Sequence, residues 1–252
     1  ALGTACSGPA PDPPIHDREV VDLTWTIDET SIAWPTSPGF TLETQFDGET
    51  DGGWYYLSHV LHGPEHGGTH IDAPRHFFRG RDTTDQIPLE RLIGPGVTID
   101  ARTACAADRD HQVGRADFDA WEREHGAIPE GAIVLLRTGF GDYWPDRERY
   151  MGTAELGPEA VAKLSFPGLD PAAVDWLVRE RKIRAIGLDT PSIDHGPSKT
   201  FAAHVALFEH DIPAFENVAH LERLPARDFT VIALPAKIGG GSGGPLRIVA
   251  LL

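Results

Sequence analysis

The sequence predicts one α/β domain built around a mixed β-sheet. Three observations predict it: strand-like segments fill the first third, strand and helix patterns then alternate, and no repeat or low-complexity linker divides the 252 residues. A chain of this length can bury a substantial core within a single unit. Residues 1–18 are set apart as a flexible N-terminal extension, since ALGTACSGPAPDPP is small and Pro-rich, and the folded domain is expected over 19–252.

Residues 20–27 alternate apolar and polar side chains, and residues 54–61 do likewise, so each reads as a strand with one face turned inward. Further on, 97–100, 133–137, 183–189, 212–216, 229–234 and 246–252 are short apolar runs, the form of strands covered on both faces. Helices fit between them at 117–125 and 158–164, and most clearly at 171–182. There Asp170 is a good N-cap, Pro171 suits the first helical position, and Val174, Leu177 and Val178 form an inward stripe. A run of glycines, Gly239 to Gly241 and Gly243 to Gly244 around Ser242, precedes the last strand. It lacks the Lys of a phosphate-binding loop, which leaves a flexible surface loop or a wall of a site entrance.

The formal charge of −16 opposes a nucleic-acid partner, and Lys and Arg are scattered singly, as at Arg75, Arg79 and Arg81. No apolar run reaches membrane-spanning length. The one methionine is Met151, so a segment ahead of Ala1 is expected to have been removed. Gly3-Thr4-Ala5-Cys6 is similar to the cleavage site and acylated cysteine of an exported lipoprotein, which leaves a cytoplasmic or an exported location open. Cys6 and Cys105 can pair outside the cytoplasm or remain free thiols.

The most informative stretch is His66-Gly67-Gly68-Thr69-His70-Ile71-Asp72-Ala73-Pro74-Arg75-His76. It mixes neutral nitrogen donors with a carboxylate able to bridge ions, a set that suits Zn, Mn or a similar divalent cation. Thr69, Ile71 and the extended bias that Pro74 imposes on Ala73 favour a strand, which sends His70, Asp72, Pro74 and His76 to one face. Gly67 and Gly68 turn the chain so that His66 folds back to the same point. A lone buried histidine is usually a hydrogen-bonded core residue, but this clustering argues for ligation.

Completion of such a site is expected from 200–216. On a helix over 200–209, His204 shares a face with Phe201, Leu207 and Phe208 and points inward. Glu216 ends an apolar strand, where an unpaired carboxylate would be costly without a cation. His62, His195, His210 and His220 carry weaker signals, and capping or turn formation accounts for Asp189 and Asp194 better than ligation does. Trp34, Trp54, Tyr55 and Phe77 flank the cluster and read equally as an aromatic wall or as core.

With these pieces the chain resembles the kynurenine formamidase or cyclase family of metal-dependent hydrolases, which includes isatin hydrolases. The family pattern HxGTHxDxPxH is met in full by His66, Gly68, Thr69, His70, Asp72, Pro74 and His76. Asp22-Leu23, Asp189-Thr190-Pro191-Ser192 and the stretch from His204 to Glu216 and Asn217 extend the similarity from about Val20 to Leu252. The resemblance implies a swivelling β/β/α fold, a first metal on His66, His70 and Asp72, and a second on His204 and Glu216 with Asp72 bridging. It implies His76 as general acid/base, Zn2+ (one or two ions) or Mn2+ as cofactor, and a homodimer or homotetramer. One departure stands out: family formamidases carry Trp-Pro-Gly-Asp where this chain has Trp34-Pro35-Thr36-Ser37.

The expected activity is therefore hydrolysis of a C–N bond in a small formamide or lactam, N-formylkynurenine-like or isatin-like. Trp34 and Phe77 are the candidate substrate contacts. A lactone hydrolase, a cyclase or dehydratase on the same metals, and a non-catalytic metal or small-molecule binding module are the alternatives. Catalysis is preferred because His76 is surplus to the ligand set, and a storage site has no use for it.

Overall fold

The computed structural model describes residues 14–252. The Cys6 context falls outside the described residues. Strand β1 (Val20–Asp22) leads into a two-stranded ribbon, β2 (Thr41–Glu49) and β3 (Tyr55–His62), and then to β4 (His70–Asp72). Helix α1 (Leu89–Leu92), β5 (Ile93–Asp100), α2 (Arg102–Ala107), β6 (Gln112–Val113), α3 (Arg115–His125) and β7 (Ile133–Arg137) follow. Next come α4 (Arg147–Met151), α5 (Pro158–Val161), β8 (Gly168–Leu169), α6 (Pro171–Arg179) and β9 (Ala185–Leu188). The chain closes with α7 (Ala202–Glu209), β10 (Ala214–Glu216), β11 (Phe229–Pro235) and β12 (Gly243–Leu251).

Eight strands form one mixed sheet in the order β1-β12-β11-β5-β7-β9-β10-β4, and β12 also pairs with β4, which closes the sheet on itself. The pairs β5–β7, β7–β9 and β9–β10 are parallel, and the others are antiparallel. Strand alternation divides the apolar residues between two cores. On β7, Ile133 and Leu135 face the barrel interior with Phe215, Val231 and Ile248. Val134 and Leu136 face outward, against Phe118, Val174, Leu177 and Leu207 of the helices.

That alternation places the histidine cluster. Ile71 of β4 and Phe215 of β10 sit in the inner core. Their neighbours His70, Asp72 and Glu216 consequently face outward, beneath α7, with Glu216 directly across from His70. Helix α6 forms as its sequence predicts, with Asp170 accepting a hydrogen bond from Ala172 N–H at 2.9 Å and Pro171 in the first turn.

Several expectations need correction. The strand over 20–27 ends at Asp22, the helix over 158–164 ends at Val161, and the helix over 171–182 ends at Arg179. Strand β2 was not expected, because its polar sequence TLETQFDGE carries little inward periodicity. His76 does not lie on the strand. Pro74 has no N–H to extend a ladder and opens a 3-10 turn, Pro74–His76, closed by His76 N–H on the Ala73 carbonyl at 2.8 Å. Cys105 is buried in the outer core, where burial pushes its thiol up to about 12. No helix among the described residues is long and apolar enough to cross a membrane.

Candidate metal centre

Four stretches converge on the outer face of β4. Gly68 adopts φ +58°, a backbone turn natural to glycine, and brings His66 back to the strand with its Nδ1 2.6 Å from Asp72 Oδ1. His204 descends from α7, with Nε2 3.1 Å from both Asp72 Oδ2 and Glu216 Oε1. His70 Nε2 stands 3.2 Å from Asp72 Oδ1 and 3.4 Å from Glu216 Oε2. That nitrogen is buried and sits off the angle needed to hydrogen bond to either carboxylate. Glu216 Oε1 is further fixed by Ile193 N–H at 2.7 Å.

The nitrogens that face away decide what those facing in can do. His70 Nδ1 donates to the Gly68 carbonyl at 2.9 Å, and His204 Nδ1 donates to Asp194 Oδ2 at 2.6 Å. In the neutral rings each Nε2 is thereby left as a lone pair aimed at carboxylate oxygens. Acceptors facing acceptors in a buried space require a cation between them. Without a metal, protons take that place. Burial alone would depress His70, but Asp72 and Glu216 outweigh it and raise its pKa to about 10. Burial also opposes protonation of His204, yet Asp194, Asp72 and Glu216 hold it well above the ordinary imidazole value. Asp72 is held well below the usual carboxylate range despite its burial, because His66, His204 and His70 face it. Three imidazoles and two carboxylates form a donor set that fits one or two divalent cations: His70, Asp72 and Glu216 cluster tightly, His66 joins them through Asp72, and His204 could complete the set from 3.1 Å away from both carboxylates.

His76 lies beside this cluster. Its ring stacks on His66 at 3.9 Å between centroids and meets the edge of Phe77 at 4.5 Å. Burial lowers its pKa to about 4, so the ring is neutral near pH 7. One ligand atom each from His66, Asp72 and His76 lies within 4.8 Å of the others, so His76 can also reach an ion. The cluster floors a cavity of about 230 Å³, walled by Ile32, Trp34, Phe77 and Phe201. Trp34 and Phe77 line this cavity. Trp54 and Tyr55 do not: they are 63% and 59% exposed on the ribbon, far from any aromatic wall.

The weaker histidine signals stay outside. His62 pairs with Glu43 on the ribbon, and His220 lies against Trp25. Asp189 binds the backbone of Thr138, Gly139 and Gly141, the turn-forming role expected of it. Asp194 caps α7 through Ala203 and His204 N–H groups, also as expected, but the same carboxylate orients His204. Sequence reasoning missed that second role, together with Phe201 and Ser37 in the cavity wall. A helix over 200–209 would put Phe201 on its inward face. Phe201 instead precedes α7 with φ 49°, which turns its ring into the cavity.

Comparison with known proteins gives the family and the fold. Residues 21–195 match the family described as "Putative cyclase". The isatin hydrolase of Roseibium aggregatum is 31% identical over 249 residues, covering 93% of this chain and 92% of that protein. The kynurenine formamidase of Bacillus cereus is 28% identical over 231 residues, covering 92% and 96%. The crystal structure of an isatin hydrolase bound to the product analogue thioisatinate superimposes with a TM-score of 0.82 at 30% identity, over 94% of this chain and 93% of that one. The chain belongs to that cyclase family.

Proposed function

We propose that this chain is a metal-dependent amidohydrolase that opens the C–N bond of a small, neutral, isatin-like lactam. The observation that carries the substrate class is the character of the cavity. Among the described residues no Lys or Arg lines it, and its wall above the imidazole and carboxylate floor is mostly apolar, with only neutral polar groups from Ser37, Ser192 and Asn217. At about 230 Å³ it falls below the size of pockets that hold drug-sized ligands, roughly 300–1,000 Å³. A flat bicyclic amide suits such a space. N-Formylkynurenine also carries an α-ammonium and a carboxylate, and the position where family formamidases have Asp is Ser37 in this cavity wall. A neutral hydroxyl there offers no ion pair to the ammonium.

A divalent ion, Zn2+ or Mn2+, would supply Lewis acidity and lower the pKa of water at the site toward about 7. The residues do the rest. His66, His70, Asp72, His204 and Glu216 hold the ion, while Asp194 and the Gly68 carbonyl keep His204 and His70 facing it. Trp34, Phe77 and Phe201 wall the space for the substrate ring and exclude bulk water. His76, neutral in its half-buried position, takes a proton on a ring nitrogen and returns it to the departing amide nitrogen.

Assembly as a homodimer or homotetramer belongs to the same proposal, with the β2–β3 ribbon as the contact. Eight large apolar side chains on it, from Leu42 to Leu61, are 40–63% exposed. At roughly 200 Å² each, half exposed, they offer about 800 Å², the share one partner gives to a standard interface. A second copy of this chain is the occupant we assign.

Metal quantification coupled to turnover of isatin, N-formylkynurenine and a simple lactone tests the activity. Fastest turnover of isatin by metal-loaded protein supports the reading. Turnover of N-formylkynurenine or the lactone alone reassigns the substrate, and a metal-loaded protein inert on all three contradicts hydrolysis.

A further inference from the structure

The glycine run left one residue without a role, Ser242. It is not in a loose loop. Gly243 and Gly244 pair with Asp72 and Ile71, the Ser242 carbonyl accepts from Ala73 N–H at 2.9 Å, the Gly241 carbonyl accepts from Thr84 N–H at 2.9 Å, and the Thr84 hydroxyl lies 3.0 Å from the Gly243 carbonyl. The hydroxyl of Ser242 lies 2.6 Å from Glu65 Oε2 and 2.9 Å from His66 Nε2. Glu65 Oε2 also accepts from Ser242 N–H at 3.1 Å.

A serine hydroxyl has one proton. A carboxylate can only accept, so that proton goes to Glu65 and the oxygen lone pairs are left for His66. His66 Nε2 must then carry a hydrogen, and in the neutral ring Nδ1 becomes a lone pair 2.6 Å from Asp72 Oδ1. This is the condition already met at His70 through Gly68 and at His204 through Asp194. The glycines make the approach possible. A Cβ on Gly243 would lie 2.5 Å from His66 Cε1 and 2.7 Å from the Ile71 carbonyl, and one on Gly241 would lie 2.8 Å from Glu65 Oε1.

We propose that Ser242 and Glu65 are positioning residues that fix the Nε2–H tautomer of His66 and so hold its Nδ1 as a donor to a divalent ion. This rests on the metal-binding reading of the cluster. The test is Zn2+ affinity by competition with a chromogenic chelator, for wild type, Ser242→Ala, Glu65→Ala, His66→Ala and the pair Ser242→Ala with His66→Ala. A ring 15N spectrum of the Zn2+-loaded wild type, assigned through His66→Ala, reports the tautomer. Ser242→Ala and Glu65→Ala should each weaken Zn2+ binding about 10- to 100-fold. In the His66→Ala background, Ser242→Ala should have less than about a twofold further effect, because both act through one ring. The His66 signal should show hydrogen on Nε2.

Wild type that binds Zn2+ tightly, alongside a Ser242→Ala variant within about twofold of it, overturns this inference alone. Losses that simply add in the double variant also overturn it, as they would mark a general folding defect. Hydrogen on Nδ1 contradicts it directly. Wild type that binds no Zn2+ overturns the metal reading, and the inference with it.

Discussion

The ribbon and the metal centre are built from the same materials, and only one of them forms a site. On the ribbon, His62 Nε2 stands 2.9 Å from Glu43 Oε2 with both side chains more than half exposed. In the centre, His204 Nδ1 stands 2.6 Å from Asp194 Oδ2 with both 4% exposed or less. Water screens the first pair, and nothing else depends on it. Around the second pair, burial makes every unpaired lone pair costly, so that one geometry is enforced from Asp194 through His204 to Asp72. Proximity of histidine to carboxylate is common, whereas proximity with each outer nitrogen already committed is what directs the inner ones to a cation.

The largest expected effect is at the residue common to all three imidazoles. Replacing Asp72 with Ala should abolish bound metal and lower kcat/KM at least about 10³-fold, as read by elemental analysis and steady-state kinetics. Next is His76→Ala, which should keep most of the metal and lower kcat about 10²- to 10⁴-fold. Joint loss of metal and turnover would make His76 a ligand instead. Asp194→Asn should weaken metal binding about 10- to 100-fold, since the amide cannot hold the His204 tautomer as a carboxylate does.

A pH series sharpens the same contrast. The folded pKa of His70 is raised to about 10, so its contribution to the metal-free fold is complete below about 6.5 and is lost as pH rises through 10. A divalent ion competes with that proton. Between pH 6.5 and 8.5 the affinity for Zn2+ should therefore climb, and binding should release protons, as titration calorimetry in buffers of different ionisation enthalpy can count. An affinity flat across that range would contradict proton and metal sharing one place. The smallest effect on the centre is expected from the ribbon. Leu57→Arg should shift the protein toward monomer in sedimentation while metal affinity stays within about twofold.

The sequence made the contrast only half visible. The eleven residues from His66 to His76 carry their own geometry, because the glycines turn, the strand alternates and Pro74 ends it, so the floor of the site could be placed before any coordinates. Helix α6 was equally plain from Asp170 and Pro171. What escaped were relations across the closed sheet. Ser242 reaches His66 only because β12 pairs with β4 as well as with β1 and β11, and no local pattern announces a strand with three partners. Strand β2 escaped for the opposite reason: nothing in the described chain covers it, so selection for an inward face left no periodic mark. His76 reached the site by a turn where alternation predicted a strand, a reminder that a side chain's destination can be right when its route is wrong.

Lone pairs forced inward at His66, His70 and His204 should meet at Asp72 around a divalent ion. Elemental analysis of protein loaded with Zn2+ or Mn2+ and then freed of excess, wild type beside Asp72→Ala, tests it most directly. Wild type should retain about one to two equivalents per chain and the variant less than about a tenth. Equal metal in both, or none in wild type, would contradict it.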